Sequence, residues 1–126
     1  MSVIESKIEE LGLKLPKAPG PMANYVTARR TGNLLFFSGG GPFEDGKPVV
    51  FGRVGDELTQ EEGYAAARLT GLNLISQLKN ELGDLDRVKQ FVKVQAFVAS
   101  APGFTAAVPQ LPFNIPIEVE IIVEVE

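Results

Sequence analysis

The chain has 126 residues, of which 22% are charged and 44% hydrophobic, and its formal net charge is −4. It contains no cysteine and no histidine, which excludes disulfides, thiol or Ser-His-Asp catalysis and the usual zinc sites. We therefore expect one globular domain with no cofactor and no metal. The acidic balance argues against a nucleic-acid partner. The absence of a signal peptide and of a long apolar run predicts a cytoplasmic protein without a membrane contact.

The first 21 residues differ in pattern from the rest of the chain. Hydrophobic residues at helical spacing predict a helix over residues 3–11, and Gly12 ends it. Residues 15–21 are rich in proline and are predicted to be an extended linker. We therefore interpret residues 1–21 as an extension to a core of residues 22–126.

The core begins with short strands. Residues 25–29 and 34–38 are predicted to form a β-hairpin, because Gly32 and its neighbours supply turn residues between them. The second of these strands is apolar on both faces, as expected of an interior strand. A further short strand is predicted at residues 49–51.

A long helix follows. Thr59 and Glu62 have the spacing of a capping box, apolar residues then recur at helical spacing, and Gly83 ends the run. Residues 91–98 read as the next strand, so the helix connects two strands as in a crossover unit.

The last strand, residues 117–125, has the strictest alternation of apolar and polar residues in the chain. Its polar face carries Glu118, Glu120 and Glu124, interrupted by Ile122. One interpretation is a strand with a solvated outer face. The other is a partly covered face, on which a carboxylate would have a raised pKa and could act as a general base.

Other candidate site residues also have two interpretations. Ser38, Gly39 and Gly40 mark either a tight strand exit or a segment whose backbone N–H groups approach a ligand carboxylate. Tyr25 is either a core residue with a polar tip or a pocket wall. Arg53 is either a member of a surface ion pair or a clamp for an anion.

Several short pieces, taken in order, resemble the YjgF/RidA family of reactive intermediate deaminases. The resemblance covers the chain from about Asn24 onward, and the N-terminal extension is typical of a divergent branch. The pieces that carry it are Gly32-Asn33-Leu34-Leu35-Phe36-Phe37-Ser38-Gly39, Pro42, Leu72-Asn73-Leu74, Asp86-Arg87-Val88-Lys89, Leu111-Pro112 and Ile117-Glu118-Val119-Glu120.

The resemblance implies an α+β, chorismate-mutase-like fold, with a mixed sheet that has helices packed on one face. It implies a homotrimer with clefts between subunits, in which small carboxylate-bearing imines and enamines such as 2-aminoacrylate are hydrolysed. By position, Glu120 matches the glutamate that positions water, and Tyr25 matches a tyrosine of the pocket. Backbone groups near Gly39 and Gly40 would hold the substrate, and Ser38 and Arg53 are further candidates.

The chain departs from the family between Thr105 and Leu111, where the family has a second helix and a strand with a carboxylate-binding arginine. Either the segment is deleted, or the sequence lacks a stretch that the full protein possesses. Loss of the helix would expose an apolar sheet face, and loss of the arginine predicts weak or absent deaminase activity. The alternatives are a non-catalytic trimer that binds small ligands or a protein, and, more weakly supported, an endoribonuclease.

Overall fold

Two α-helices and six β-strands make up the described part of a computed structural model, residues 2–20, 25–103 and 111–126. Two short 3-10 turns, Leu85–Arg87 and Pro112–Asn114, connect them. The elements are α1 (Val3–Glu10), β1 (Ala28–Thr31), β2 (Leu34–Phe37), β3 (Phe43–Glu44), β4 (Lys47–Pro48), α2 (Gln60–Leu82), β5 (Val88–Val98) and β6 (Ile117–Val125).

Four of the strands form one sheet in the order β1-β2-β6-β5. The three pairings between these strands are antiparallel, while isolated parallel bridges join Val54 to Leu58 and to Ser100. β6 therefore lies in the interior of the sheet, between β2 and β5. The expected α+β class, with helices packed against a sheet, is confirmed.

The alternation of β6 determines where the core lies. Five of its six aliphatic residues are buried, and Val123 and Val125 are fully so. They pack in one cluster with Leu74 and Leu78 of α2 and Leu35 of β2. Each large aliphatic side chain removed from water in this way contributes about 1.5–3 kcal/mol. The half-buried glutamates of β6 lie on the opposite face.

The predicted capping box of α2 is confirmed. The backbone N–H of Glu62 donates to Thr59 Oγ1 (3.1 Å), and the N–H of Thr59 donates to Glu62 Oε1 (3.0 Å). The helix ends at Gly83, whose φ of 78° is easily reached only by glycine. α2 is thereby fixed at both ends across the sheet.

The first hairpin is confirmed. Its first strand begins at Ala28, three residues later than predicted. The strand predicted at residues 49–51 is wrong, since those residues lie outside the strands. β3 and β4 instead pair through Glu44 and Lys47. Asp45 and Gly46 form the two-residue turn with φ of 50° and 77°, which is the geometry that Asp-Gly favours in hairpins. This turn signal outweighs the β-branched residues after Pro48.

The N-terminal helix is held against the core. The backbone N–H groups of Val3 and Ile4 donate to the carboxylate of Asp86 at 2.8 and 2.9 Å, respectively. These hydrogen bonds lower the pKa of the Asp86 carboxyl, and the bond from Ile4 has the larger effect. Glu5 forms an ion pair with Lys79 at 3.1 Å, and Ile8 packs against the core cluster. The helix expected over residues 3–11 is confirmed as α1.

β5 is an edge strand with apolar residues in solvent. Phe91 and Val92 are each 52% exposed and Val94 is 61% exposed. An apolar groove runs between α2 and the β5–β6 pair, with Gly71 and Ile75 on its helix side. The expected exposure of apolar sheet surface is thus found in the described residues. In the same ranges, neither helix has the length and hydropathy needed to cross a bilayer.

Candidate active site

A cavity of about 390 Å³ lies where the chain leaves β2. Its walls are largely apolar, and they bring together four of the predicted site residues, Tyr25, Ser38, Gly39 and Gly40. The full set of lining residues is Pro19, Gly20, Tyr25, Ser38, Gly39, Gly40, Gly41, Phe43, Gln77, Pro112, Phe113, Ile115 and Glu118.

The pairing of the chain with β6 is irregular between Phe36 and Gly40, next to the cavity. Phe36 pairs with Ile122, whereas Gly40 pairs with Val119, donating to its carbonyl at 2.7 Å and accepting from its N–H at 2.9 Å. Between these pairs the chain advances one residue further on the β2 side than on β6. One extra residue on one strand is the pattern of a β-bulge, which changes the direction of neighbouring side chains and is common near functional sites.

The glycines allow close approach to a carboxylate. Gly39 has φ of 141°, and a Cβ added there would lie 2.8 Å from Glu118 Oε1. A Cβ on Gly40 would lie 2.8 Å from Leu74 Cδ2 of α2. Backbone without a side chain is therefore needed at both positions, because Glu118 and Leu74 approach so closely. The ligand-binding interpretation of this segment stays a prediction.

Glu118 is the carboxylate of the cavity. Its position on the half-buried face of β6 removes the side chain partly from water. Burial raises the pKa of the Glu118 carboxyl, and the negative charge of Glu120 raises it further. A carboxyl that holds its proton more tightly than usual, in a cavity, is the pattern expected of an acid-base group.

This raised pKa predicts a pH-dependent stability. Between its ordinary value near 4.5 and its folded value, the folded chain keeps a proton that the unfolded chain releases. The free energy of unfolding therefore falls as pH rises through that window. We expect Glu118→Gln, which is neutral at every pH, to gain stability relative to the wild type between pH 4 and pH 8. Urea denaturation across this range measures the difference.

The control for this experiment is Glu124→Gln, which removes the same charge from the same face of β6. It gives the change that results from net charge alone. A stability difference between Glu118→Gln and the wild type that stays constant from pH 4 to pH 8 would contradict the assignment of a raised pKa.

Two amide side chains of α2 were not predicted as part of the site. Asn73 is fully buried, and its Nδ2 donates to the carbonyls of Gly41 (3.0 Å) and Phe43 (2.8 Å). Gln77 is 4% exposed and lines the cavity, and its Nε2 donates to Pro19 O at 3.4 Å. In the sequence, the signal for Asn73 and Gln77 is a polar amide on the face of the helix that packs on the core, where apolar residues are usual.

Glu120 and Arg53 are not among the residues that line the cavity. Glu120 is opposite Gln95 in the β5–β6 pairing. Arg53 forms an ion pair with Asp56 at 3.5 Å, as the surface interpretation expects. Their roles in catalysis and substrate binding stay predictions.

Two consecutive residues with positive φ, Phe113 (58°) and Asn114 (54°), precede β6. The carbonyl of Asn114 accepts from the N–H of Gly52 at 2.8 Å, which holds this strained turn. Phe113 lines the cavity and is 51% exposed. Such a conformation has no signature in residue type, so the sequence could not predict Phe113 as a wall.

The described part of the cavity wall carries no lysine or arginine. Over the described ranges there is also no group of three or more acidic side chains that could hold a metal ion. The available chemistry there is thus a single carboxyl, backbone amides, hydroxyls and one side-chain amide.

The fold is that of an α+β protein, and the described part of its cavity wall holds one carboxyl, that of Glu118. The family model described as "YjgF/chorismate_mutase-like, putative endoribonuclease" matches residues 5–103. The chain is 37% identical to Protein TCP17 of Trypanosoma cruzi over 157 aligned positions, which cover 98% of each chain. The chain belongs to the YjgF/chorismate-mutase-like family, and the resemblance found in its sequence is confirmed.

Solved structures show the same fold. A structure from Shewanella oneidensis MR-1 described as a putative endoribonuclease superposes with a TM-score of 0.90 at 28% identity, covering 96% of this chain and 98% of that one. Atu1372 of Agrobacterium tumefaciens, described as of unknown function, superposes with a TM-score of 0.86 at 36% identity, covering 98% and 93%.

The alignment with TCP17 is longer than this chain. It runs over 157 positions, whereas this chain has 126 residues. The relative therefore carries residues that have no counterpart here. The family match ends at residue 103, directly before the connection where the sequence predicted a missing segment; that connection, residues 104–110, lies outside the described ranges.

Proposed function

We propose that the protein hydrolyses small imines and enamines that carry a carboxylate, such as 2-aminoacrylate, to a keto acid and ammonia. The observation that carries this proposal is Glu118, a carboxyl of raised pKa that faces Gly39 in an apolar cavity. Such a carboxyl is suited to accept a proton and return it within one reaction. Glu118 takes the role that the sequence comparison gave to Glu120.

The reaction needs one group that moves protons. Protonated Glu118 gives a proton to the β-carbon of an enamine, which produces the iminium ion. Water then adds to the C=N carbon while the Glu118 carboxylate takes one water proton and passes it to nitrogen, which forms a carbinolamine whose nitrogen is an ammonium group. As the C–N bond breaks and ammonia leaves, the Glu118 carboxylate takes the hydroxyl proton, so that a carbonyl remains and the protonated carboxyl is restored.

Backbone N–H groups bind the substrate carboxylate in this reaction. The N–H of Gly40 already donates to Val119 O, so the amides of Gly39 and Gly41 are the donors assigned to the substrate. Tyr25 and Phe113 form walls of the cavity. Because neutral donors bind a carboxylate less strongly than a bidentate arginine does, we expect slow turnover.

The test is ammonia release from freshly generated 2-aminoacrylate by the purified protein. We expect a rate above the uncatalysed one and proportional to protein concentration. Release at the uncatalysed rate, with correctly folded protein, would contradict the proposal.

A second candidate function is non-catalytic binding of small ligands. It is favoured by the lack of a cationic side chain in the described cavity wall. Calorimetry that shows binding of a small keto acid, without ammonia release from the imine, would support this function over hydrolysis.

Endoribonuclease activity is a third candidate, because the descriptions of the family and of the Shewanella structure name it. The net charge of −4 opposes binding to an RNA backbone. RNA that stays intact after incubation with purified protein would dismiss this function.

We also propose that the protein forms a homotrimer in which the cavity lies next to a subunit boundary. The exposed apolar residues of the edge strand β5 support self-association, since Phe91, Val92 and Val94 would gain from burial. Light scattering coupled to size exclusion should give three times the mass of 13.6 kDa. A monomer mass at micromolar concentration would contradict the trimer.

A further inference from the structure

We propose that Oε1 of Gln77 accepts a hydrogen bond from an N–H group of the bound ligand, so that the cavity selects small compounds whose nitrogen carries hydrogen. The inference deepens the proposed function by naming a specificity residue, and it rests on that function for the reaction. It does not depend on turnover, because the interaction is one of binding.

The orientation of the Gln77 amide is fixed by its neighbour. The carbonyl of Pro19 can only accept, so the group that faces it is the NH₂ of Gln77, with Nε2 and Pro19 O 3.4 Å apart. The amide oxygen must then point the other way. A Cβ on Gly40 would lie 3.8 Å from Gln77 Oε1, which places this oxygen beside the glycine segment that lines the cavity.

This oxygen is buried without a partner. Gln77 is 4% exposed, and within the described residues its Oε1 accepts no hydrogen bond. A buried acceptor that is left unsatisfied costs free energy, and natural structures retain few of them. A ligand donor at this point would recover that cost.

The polar side chains that line the cavity indicate which part of a ligand binds next to Gln77. Gln77 and Glu118 both line the cavity, and an amide oxygen and a carboxyl C=O oxygen are both acceptors. Their complement is a nitrogen that carries hydrogen, as in an imine, an enamine or an amine. A keto acid offers only acceptors at the corresponding position, so the same contact favours the nitrogenous substrate over the product of hydrolysis.

The experiment uses two stable probes. 2-Acetamidoacrylate carries an N–H, and its N-methyl derivative does not. By calorimetry, we expect the wild type to bind 2-acetamidoacrylate about tenfold more tightly, as expected for one hydrogen bond to a buried partner. Gln77→Met, which has nearly the same shape but no amide, should bind the two probes equally. Gln95→Met, the same change at an exposed position of β5, should keep the wild-type preference.

Each outcome decides the proposal. Equal binding of the two probes by the wild type, or binding of neither, overturns it without the need for any variant. A preference that persists in Gln77→Met assigns the effect to the bulk of the N-methyl group and also overturns it. If the preference is lost only in Gln77→Met, the proposal stands, even if ammonia release shows that the protein does not hydrolyse imines.

Discussion

Replacing Glu118 by glutamine is expected to lower the rate of ammonia release from 2-aminoacrylate by about 10²–10⁴-fold, the usual contribution of a general acid-base group. The substitution keeps the shape of the side chain beside Gly39 and removes its ability to take up and return a proton. Binding of a small keto acid should persist, because the amides of Gly39 and Gly41 are unchanged. The loss should therefore fall on kcat more than on KM.

Glu120→Gln is the matched control, because Glu120 lies two residues along the same face of β6. We expect it to leave the rate of ammonia release nearly unchanged. If Glu120→Gln abolished activity and Glu118→Gln preserved it, the assignment made from the sequence would be right and the one made from the cavity wrong. If both variants kept the wild-type activity, neither Glu118 nor Glu120 would have a role in the reaction.

Asn73→Leu is expected to lower the free energy of unfolding by about 2 kcal/mol. The side chain is fully buried, and its Nδ2 donates to two carbonyls, those of Gly41 and Phe43. The carbonyl of Gly41 would keep the N–H of Phe43 as a donor at 3.1 Å. The carbonyl of Phe43 would lose its side-chain donor, and an unsatisfied buried group costs about 1–3 kcal/mol. The burial of the apolar leucine side chain offsets part of this loss of stability. Urea denaturation followed by circular dichroism measures the change.

Asn80→Leu provides the comparison, since it makes the same substitution at an exposed position of α2. Its effect should stay within about 0.5 kcal/mol, as is usual for surface changes. Because Gly41 and Phe43 line the cavity, Asn73→Leu should also weaken ligand binding. A variant as stable as the wild type would show that the carbonyl of Phe43 finds another donor and that Asn73 does not hold the cavity in place.

The sequence predicted the elements whose signals are local. The capping box of Thr59 and Glu62 formed as expected, because both of its hydrogen bonds join residues of one helical turn. The alternation of residues 117–125 predicted the buried face of β6, because a period of two separates the faces of any strand. The Asp45-Gly46 turn between β3 and β4 is an equally local signal.

The candidate site was predicted only in part, because its geometry is tertiary. Alternation places Glu118 and Glu120 on one face of β6 and cannot choose between them. The choice depends on the bulge that brings Gly39 against Glu118, and a bulge adds one residue without a fixed sequence signature. In the same way, Gln77 belongs to the cavity only because α2 crosses the sheet at that point.

The interior position of β6 has a consequence for the order in which the chain can fold during synthesis. β6 is the last of the strands to leave the ribosome, yet it pairs with both β2 and β5. Until residues 117–125 emerge, the β1–β2 hairpin and β5 each present an unpaired backbone edge, and the apolar side chains of α2 have no sheet to cover. Pairs such as Leu34 with Glu124 join distant parts of the chain, and contacts of this kind slow folding. The central sheet pairing of this protein can therefore form only after residues 117–125 have emerged.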